Sequence, residues 1–186
     1  MPASPPARAG KVLRKEAFYN HPPEVVWAAL TSGEALAQWL MPNNFPGDPR
    51  VGSRFQFRID PMPMLPSHTT DCEIVEFDPP RRMVWTWKMV STTGKRDLPA
   101  MRMEWLLTPE RDGTRLTFTQ SNIDALPFIY KLMMSFGWGT MMMRWLPMVL
   151  NAFEPTPDGA RRYHRLAKPG NRGHHGTKTL PPEFFK

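Results

Sequence analysis

Cysteine and histidine are among the side chains that could act as nucleophiles or bind a metal, and this 186-residue chain contains one cysteine and five histidines. Cys72 lies between Asp71 and Glu73, whose negative charges raise the pKa of a neighbouring thiol, so we expect a structural thiol and no nucleophile. His174 and His175 are adjacent in a glycine-rich segment and lack the spacing of metal ligands on a helix. We therefore predict no catalytic residue, no metal site and no cofactor.

Carboxylates that could act as a general acid and a general base lie on or beside predicted strands. Alternation along a strand places most of them opposite the apolar face, so they would point to solvent. We expect one of them, Glu104, to pair with Arg58 across strands. The candidates are Asp60, Asp71, Glu73, Glu76 and Glu104.

The N-terminal third of the chain is divided into one strand and two short helices. The proline pair at 22–23 suits the first turn of a helix, where an N–H group would lack a partner in any case. Asn20 or His21 would cap that helix. The predicted elements are a strand at 11–20, a helix from Pro22 to about Thr31, and a second helix at 33–40 that Ser32 caps and Pro42 ends.

A two-residue period follows, in which large apolar residues alternate with polar ones and turn sequences separate the runs. No alternation of strands with helices interrupts the pattern, so we expect five or six antiparallel strands with one apolar face. The Asp-Gly pair at 112–113 marks one of the turns. The apolar residues of these runs include Phe55, Phe57 and Ile59; Trp85 and Trp87; Met103, Trp105 and Leu107; and Leu116 and Phe118.

The chain becomes helical again from about Pro127, with the glycines at 137 and 139 weakening the helix and Pro147 kinking it. This helix is the only predicted element long enough to cover the apolar face, so the sheet should curl around it. The predicted fold class is therefore α+β, in the order strand, two short helices, curved antiparallel meander and long C-terminal helix. One domain would occupy residues 11–154.

The net charge of +7 lies mostly outside this domain. Residues 155–186 carry seven basic and two acidic side chains, a net charge of +5. They and residues 1–10 offer few large apolar side chains, so we expect both tails to be disordered, although 161–168 could extend or follow the last helix. The basic tail has no accompanying nucleic-acid-binding motif, so we predict no specific nucleic-acid partner.

Membrane insertion is not expected, because the longest uncharged run of the apolar C-terminal region covers only residues 132–143. A spanning helix needs about 20 apolar residues. Peripheral contact of the apolar helix and the basic tail with a membrane is left open. The single cysteine, and an N-terminus without an apolar signal segment, favour a cytoplasmic protein.

Five motifs connect the chain to a known family by their order and spacing: HPPEVVWAALTSGEALAQWLMP at 21–42, VGSRFQF at 51–57, DCEIVEFDPPRRMVWTW at 71–87, WLLTPERDGTRLTFTQS at 105–121 and GW at 137–138. With them the chain resembles the START-like (SRPBCC) superfamily, which has the helix-grip fold. It is most similar there to the domain family named for homologues of the activator of the heat-shock protein 90 ATPase. The resemblance covers about residues 20–153.

This resemblance implies a hydrophobic cavity between the sheet and the C-terminal helix, with the two short helices closing one end through Trp27 and Trp39. It implies binding of a hydrophobic small molecule or lipid, for which flexible methionine side chains are suited. An interaction with a chaperone, a cyclase- or dehydratase-like enzyme, and a filled core remain alternatives. Further residues that could line this cavity include Met133, Met141, Met143 and Trp145. The predicted ligand-binding residues are Trp27, Phe57, Trp87, Trp105, Phe118, Met134, Trp138 and Met142.

Overall fold

A six-stranded antiparallel sheet is the framework of the part of the chain that this computed structural model describes, namely residues 10–58, 69–90 and 99–155 and the backbone of 161–163. The strands are β1 (Leu13–Tyr19), β2 (Arg54–Arg58), β3 (Thr69–Asp78), β4 (Arg82–Met89), β5 (Met101–Glu110) and β6 (Gly113–Ser121). They lie in the order β1-β6-β5-β4-β3-β2. The predicted meander of five or six antiparallel strands is confirmed.

Two short helices, α1 (Pro23–Thr31) and α2 (Gly33–Trp39), connect β1 to β2. The predicted Ser32 cap is confirmed, because its hydroxyl accepts a hydrogen bond from the Ala35 amide at 3.3 Å. The predicted cap by Asn20 or His21 is wrong. Pro22 occupies the N-cap position in an extended conformation, and it has no side-chain acceptor to offer.

The C-terminal helical segment contains α3 (Phe128–Thr140), a π-helical turn (Met141–Trp145) and α4 (Leu146–Leu150). Within the turn, the Leu146 amide donates to the carbonyl five residues earlier, at Met141. The turn ends two residues before Pro147, which has no N–H group and whose ring would collide with the carbonyl four residues earlier in an α-helix. The predicted disturbance at Pro147 therefore takes the form of a wider turn just before the proline. No helix of the described residues is long and apolar enough to cross a bilayer.

One hydrophobic core lies between the inner face of the sheet and the helices. Alternation along β5 buries every second side chain, and Trp105 at its centre is fully buried. The Trp105 ring meets Trp85 at a centroid distance of 5.4 Å and Trp39 of α2 at 5.8 Å. Trp27 of α1 packs on Phe77 of β3 at 5.4 Å. The two short helices thus rest on the sheet through their tryptophans, as expected.

Several salt bridges lie on the outer face of the sheet, opposite the core. Arg82 of β4 pairs with Glu104 of β5 at 2.7 Å and also with Glu76 of β3, which Arg102 contacts in turn. The hydrogen bond from Arg102, assisted by the charge of Arg82, lowers the pKa of the Glu76 carboxyl. The predicted pairing of Glu104 with Arg58 is wrong, because β4 and β3 separate β5 from β2.

A short antiparallel ladder of β7 (Phe153–Pro155) and β8 (Arg161–Tyr163) follows the last helix. We expected residues from 155 onward to be disordered, or 161–168 to extend or follow the last helix, and residues 161–163 follow it as a short strand. Backbone pairing with 153–155 gives these three residues partners that a solvated tail would lack. The rest of the predicted basic tail, including His174 and His175, and residues 1–9 of the N-terminal tail lie outside the described residues.

Candidate ligand-binding site

A cavity of about 240 Å³ lies between the inner face of the sheet and α3. Strands β4 and β5 contribute its floor, and the end of α2, at Leu40 and Met41, closes one side. None of the described lining side chains is charged. The lining residues are Leu40, Met41, Trp87, Met89, Met103, Tyr130, Met133, Met134, Gly137, Trp138 and Met141.

The helix α3 and the first residue of the π-helical turn, Met141, present a continuous wall because their lining residues share one face. At about 100° per residue, positions 130, 133, 134, 137, 138 and 141 project within an arc of about 140°. Gly137 lies near the middle of this arc, and a Cβ atom placed on it would meet no atom within 4 Å beyond the adjacent backbone of its own helix. The missing side chain of Gly137 therefore contributes directly to the open volume.

Trp138 anchors α3 to the sheet at the inner side of the cavity. Its ring lies 4.3 Å from Phe118, 5.6 Å from Trp105 and 6.1 Å from Trp87, measured between centroids. Its indole Nε1 donates a hydrogen bond of 3.0 Å to Oε1 of Gln120. The aromatic contacts and this bond fix both the position and the rotation of the ring.

Gln120 is a fully buried amide next to the cavity. It follows Leu116 and Phe118 on the inner face of β6 and pairs in register with Met103, a lining residue. Its Nε2 atom lies 3.0 Å from the sulfur of Met101 and 3.1 Å from that of Met134. Gln120 was not predicted from the sequence, although a polar residue at an inward position of a strand was the available signal.

The family described as "Activator of Hsp90 ATPase homolog 1-like protein" matches residues 20–151, which is more than half of the chain. The chain belongs to this family. The helix grip of the structure, a curved antiparallel sheet holding a C-terminal helix, is the fold expected of a START-like domain.

Solved structures share this fold. A protein of Mesorhizobium loti, MLL2253, is 28% identical with a TM-score of 0.65, and the match covers 76% of this chain and 97% of that one. CalU16 from Micromonospora echinospora is 22% identical, with a TM-score of 0.56 over 80% of this chain and 81% of its own. The Aha1 dimer from Colwellia psychrerythraea is 17% identical, with a TM-score of 0.53 over 72% and 91%. Comparison with curated proteins finds no significant match.

The eight residues predicted to bind ligand fall into two groups in this START-like domain. Trp87, Met134 and Trp138 line the cavity. The other five belong to the core around it and are absent from the lining: Trp27, Phe57, Trp105, Phe118 and Met142. The further candidates Met133 and Met141 also line it, as does Met103 from the predicted apolar strand faces. The lining residues that were not predicted are Leu40, Met41, Met89, Tyr130 and Gly137.

Neither Cys72 nor the described titratable groups place a nucleophile or an acid–base pair at the cavity. The Cys72 thiol is buried, and its burial, assisted by the charge of Asp71, raises the thiol pKa. Its expected role as a structural thiol is therefore supported. Tyr130 carries the only titratable side chain among the described lining residues. These residues provide surface for apolar contact and no pair of acid and base.

Proposed function

We propose that this domain is a cytoplasmic binding protein that holds a hydrophobic small molecule, or the apolar part of a lipid, non-covalently in the cavity. The observation that carries the proposal is an open volume of about 240 Å³ whose described walls hold no charge. Burial of apolar ligand surface would supply the affinity, at about 25 cal/mol per Å². Six methionines in the lining would let the walls adapt to different shapes.

The volume sets the size of the ligand. An apolar cavity of about 150 Å³ holds one benzene molecule. In proportion, this cavity holds a ligand of about ten non-hydrogen atoms, and naphthalene matches that size. A larger ligand would have to displace methionine side chains or extend through the opening of the cavity.

Binding can be measured through the NMR signals of the methionine methyl groups. The protein labelled with ¹³C at its methionine methyls would be titrated with naphthalene, and binding in the cavity should shift the signals of Met89, Met103 and Met134. Equal shifts of Met148, which is 41% exposed and lies outside the lining, would indicate non-specific contact and contradict the proposal. Native mass spectrometry of the protein as purified would detect a ligand already bound.

Two glycine substitutions provide a matched pair. Gly137→Leu would place a side chain in the open volume and should abolish the naphthalene shifts. Gly139→Leu adds the same side chain on the same helix outside the lining, again where a Cβ meets nothing within 4 Å beyond the adjacent helix backbone, and should preserve them. Binding that is equally strong in both variants would refute this cavity as the site.

A protein partner is a second candidate, and it is supported by the description of the family. A chaperone-activating domain should raise the ATPase rate of heat-shock protein 90 when added to it. An unchanged rate, with no complex recovered in a pull-down, would remove this candidate. A cyclase- or dehydratase-like reaction finds no acid–base pair among the described lining residues, so binding is the function that we propose first.

Contact with an anionic membrane is a further candidate, and the outward face of α3 supports it. Six large apolar residues of this face and of the π-helical turn that follows it are between 47% and 78% exposed, and we call them the outer stripe: Phe128, Ile129, Leu132, Met133, Phe136 and Met143. Contiguous apolar surface of this kind is uncommon on monomers and marks interaction sites. Met133 belongs both to the stripe and to the cavity lining, so a ligand could pass between them.

Charge favours an anionic bilayer over a second copy as the occupant. No aspartate or glutamate occurs between Asp124 and Glu154, Arg144 is exposed beside the stripe, and the tail beyond 155 carries +5. If two copies packed through their outer stripes, the basic residues of one copy would repel those of the other, and no nearby carboxylate would neutralise them. Anionic lipid would attract them, at about 1 kcal/mol for each basic residue near the surface.

Sedimentation with vesicles tests the membrane candidate. The protein should pellet with phosphatidylcholine vesicles that contain about a quarter of phosphatidylglycerol, and much less with phosphatidylcholine alone. Phe136→Ser should weaken the binding, whereas Val51→Ser, which removes a 61% exposed side chain in the turn before β2 and outside the outer stripe, should not. Binding insensitive to anionic lipid, or a concentration-dependent dimer that Phe136→Ser dissolves, would contradict it.

A further inference from the structure

The orientation of the Gln120 amide is fixed by its neighbour. Trp138 Nε1 can only donate a hydrogen bond, so the atom that faces it at 3.0 Å must be the amide oxygen of Gln120. The amide nitrogen then points the other way, toward Met101 and Met134. Two N–H donors are therefore held in place inside a fully buried side chain.

Both contacts of this nitrogen within the described part of the chain are to thioether sulfur atoms, at 3.0 Å and 3.1 Å. Thioether sulfur is a weak acceptor, and a buried amide N–H without a good acceptor destabilises the folded protein. The amide of Gln120 is thus a donor that an oxygen atom would satisfy better than its present partners do.

Access to this donor depends on Met134. Met101 is 1% exposed and belongs to the packed core, but Met134 is only half-buried and lines the cavity. Its unbranched side chain has three rotatable bonds and can move without displacing the backbone. Rotation of Met134 would expose one N–H of Gln120 to the cavity while Met101 keeps its contact with the nitrogen.

We propose that Gln120 recognises an oxygen atom of the ligand, so that the cavity selects apolar molecules that carry a carbonyl or hydroxyl oxygen at one end. The inference rests on the proposed function. The oxygen end of the ligand takes the place of the Met134 sulfur at the sheet, and the apolar remainder fills the cavity. Gln120 then supplies specificity, while the methionines and tryptophans supply surface.

The test uses two probes of the same shape, acetophenone and α-methylstyrene, in which a carbonyl oxygen is replaced by a methylene group. Dissociation constants would be measured by the methionine methyl titration for the wild-type protein and for Gln120→Leu. The cost of removing the ketone from water is the same in both proteins and cancels in the comparison. The preference for the ketone relative to the alkene should fall about tenfold in Gln120→Leu.

Binding of α-methylstyrene provides the internal control. Its affinity should change less than about threefold in Gln120→Leu, because leucine retains an apolar wall of similar size. If that variant does not fold, the side-chain amide signal of Gln120 in the wild-type protein gives a second measurement. Acetophenone should shift that signal much more than α-methylstyrene does.

The possible outcomes separate this inference from the proposed function. If neither probe binds the wild-type protein, the proposed function and the role of Gln120 fail together. If both bind, but the relative preference is the same in Gln120→Leu or the Gln120 amide signal does not respond to acetophenone, only the role of Gln120 is refuted.

Discussion

The phenol of Tyr19 donates a hydrogen bond of 2.7 Å to the backbone carbonyl of Met142, 123 residues later in the chain. In the π-helical turn, amides bond to carbonyls five residues earlier, as Leu146 does to Met141. The next amide in that register would belong to Pro147, which has none. The Met142 carbonyl is therefore left without a backbone donor, and Tyr19, at the end of β1, supplies one.

Removal of the phenol should destabilise the fold. In Tyr19→Phe, the buried Met142 carbonyl would lose its donor, at a cost of about 1–3 kcal/mol in the free energy of unfolding. Urea denaturation followed by tryptophan fluorescence would measure this change. Tyr130→Phe is the control, since Tyr130 is half-buried at the cavity, and its effect should be much smaller. Equal stability of both variants would contradict the role of Tyr19.

Restoring an amide at position 147 should make Tyr19 less important. Pro147→Ala provides an N–H group, and whether the segment keeps the π register or returns to an α-helix, Met142 gains a backbone donor. We expect Tyr19→Phe to cost at least about 1 kcal/mol less in the Pro147→Ala background than in the wild-type protein. Denaturation of the two single variants and the double variant measures the coupling. Simple additivity would show that the two residues act independently.

Stability at alkaline pH should also report on Tyr19. Burial raises the pKa of its phenol, so the folded state favours the protonated form. The contribution of Tyr19 is complete below the unfolded pKa of about 10 and is lost as pH rises above it, by up to about 1.4 kcal/mol per pH unit. The free energy of unfolding, measured from about pH 8 to about pH 11, should therefore fall more steeply in the wild-type protein than in Tyr19→Phe. Cys72 is present in both proteins, so its own titration cancels. Parallel curves would refute the assignment.

The fold could be predicted because the helical and strand periods of the apolar residues, and the prolines and glycines that end these elements, all agree with it. Alternation along β5 and β6 and the proline pair before α1 act locally, so they are visible in the sequence. The turn between β5 and β6 shows what local sequence patterns cannot predict. Its centre is Arg111 and Asp112, while Gly113 begins β6, where a Cβ would lie 2.2 Å from the carbonyl oxygen of Tyr19. Gly113 is required by a neighbouring strand, and sequence spacing does not reveal that neighbour.

The cavity could be predicted only in part, for a related reason. Apolar periodicity identifies the side chains that face inward, but it does not separate those that pack against each other from those that border a void. Phe118 and Trp87 both face inward, yet Phe118 packs beneath Trp138 and only Trp87 reaches the cavity. The open volume exists because Gly137 has no side chain. It also depends on the positions of Leu40 and Met41, which follow the end of α2.

The glycine at position 139 should lower the stability of α3 without a compensating role in the cavity. A Cβ at this position meets no atom within 4 Å beyond the adjacent backbone of its own helix, and Gly139 is not part of the lining. Gly139→Ala should therefore raise the free energy of unfolding by about 0.5–1 kcal/mol through helix propensity. Thermal denaturation would measure the gain, and naphthalene binding should be unchanged. A destabilised variant would mean that the backbone at 139 needs a conformation that alanine resists.

Two fully buried tryptophans differ in what their indole N–H groups contact. Trp39 Nε1 donates a bond of 2.9 Å to the carbonyl of Ala29, one of the last carbonyls of α1, whereas Trp105 Nε1 has no partner in the described structure. Trp39→Phe and Trp105→Phe remove the same atoms from the same core. The first also leaves the end of α1 without its donor, while the second removes an unsatisfied polar group.

We therefore expect Trp39→Phe to cost about 1–3 kcal/mol more than Trp105→Phe in the free energy of unfolding. Hydrogen exchange should also show faster opening of the last turn of α1 in Trp39→Phe alone, because the bond closes the end of that helix. If Trp105→Phe proved the more costly change, the shape of the indole ring would matter more in this core than its hydrogen bond. The bond from Trp39 would then not be what joins α2 to α1.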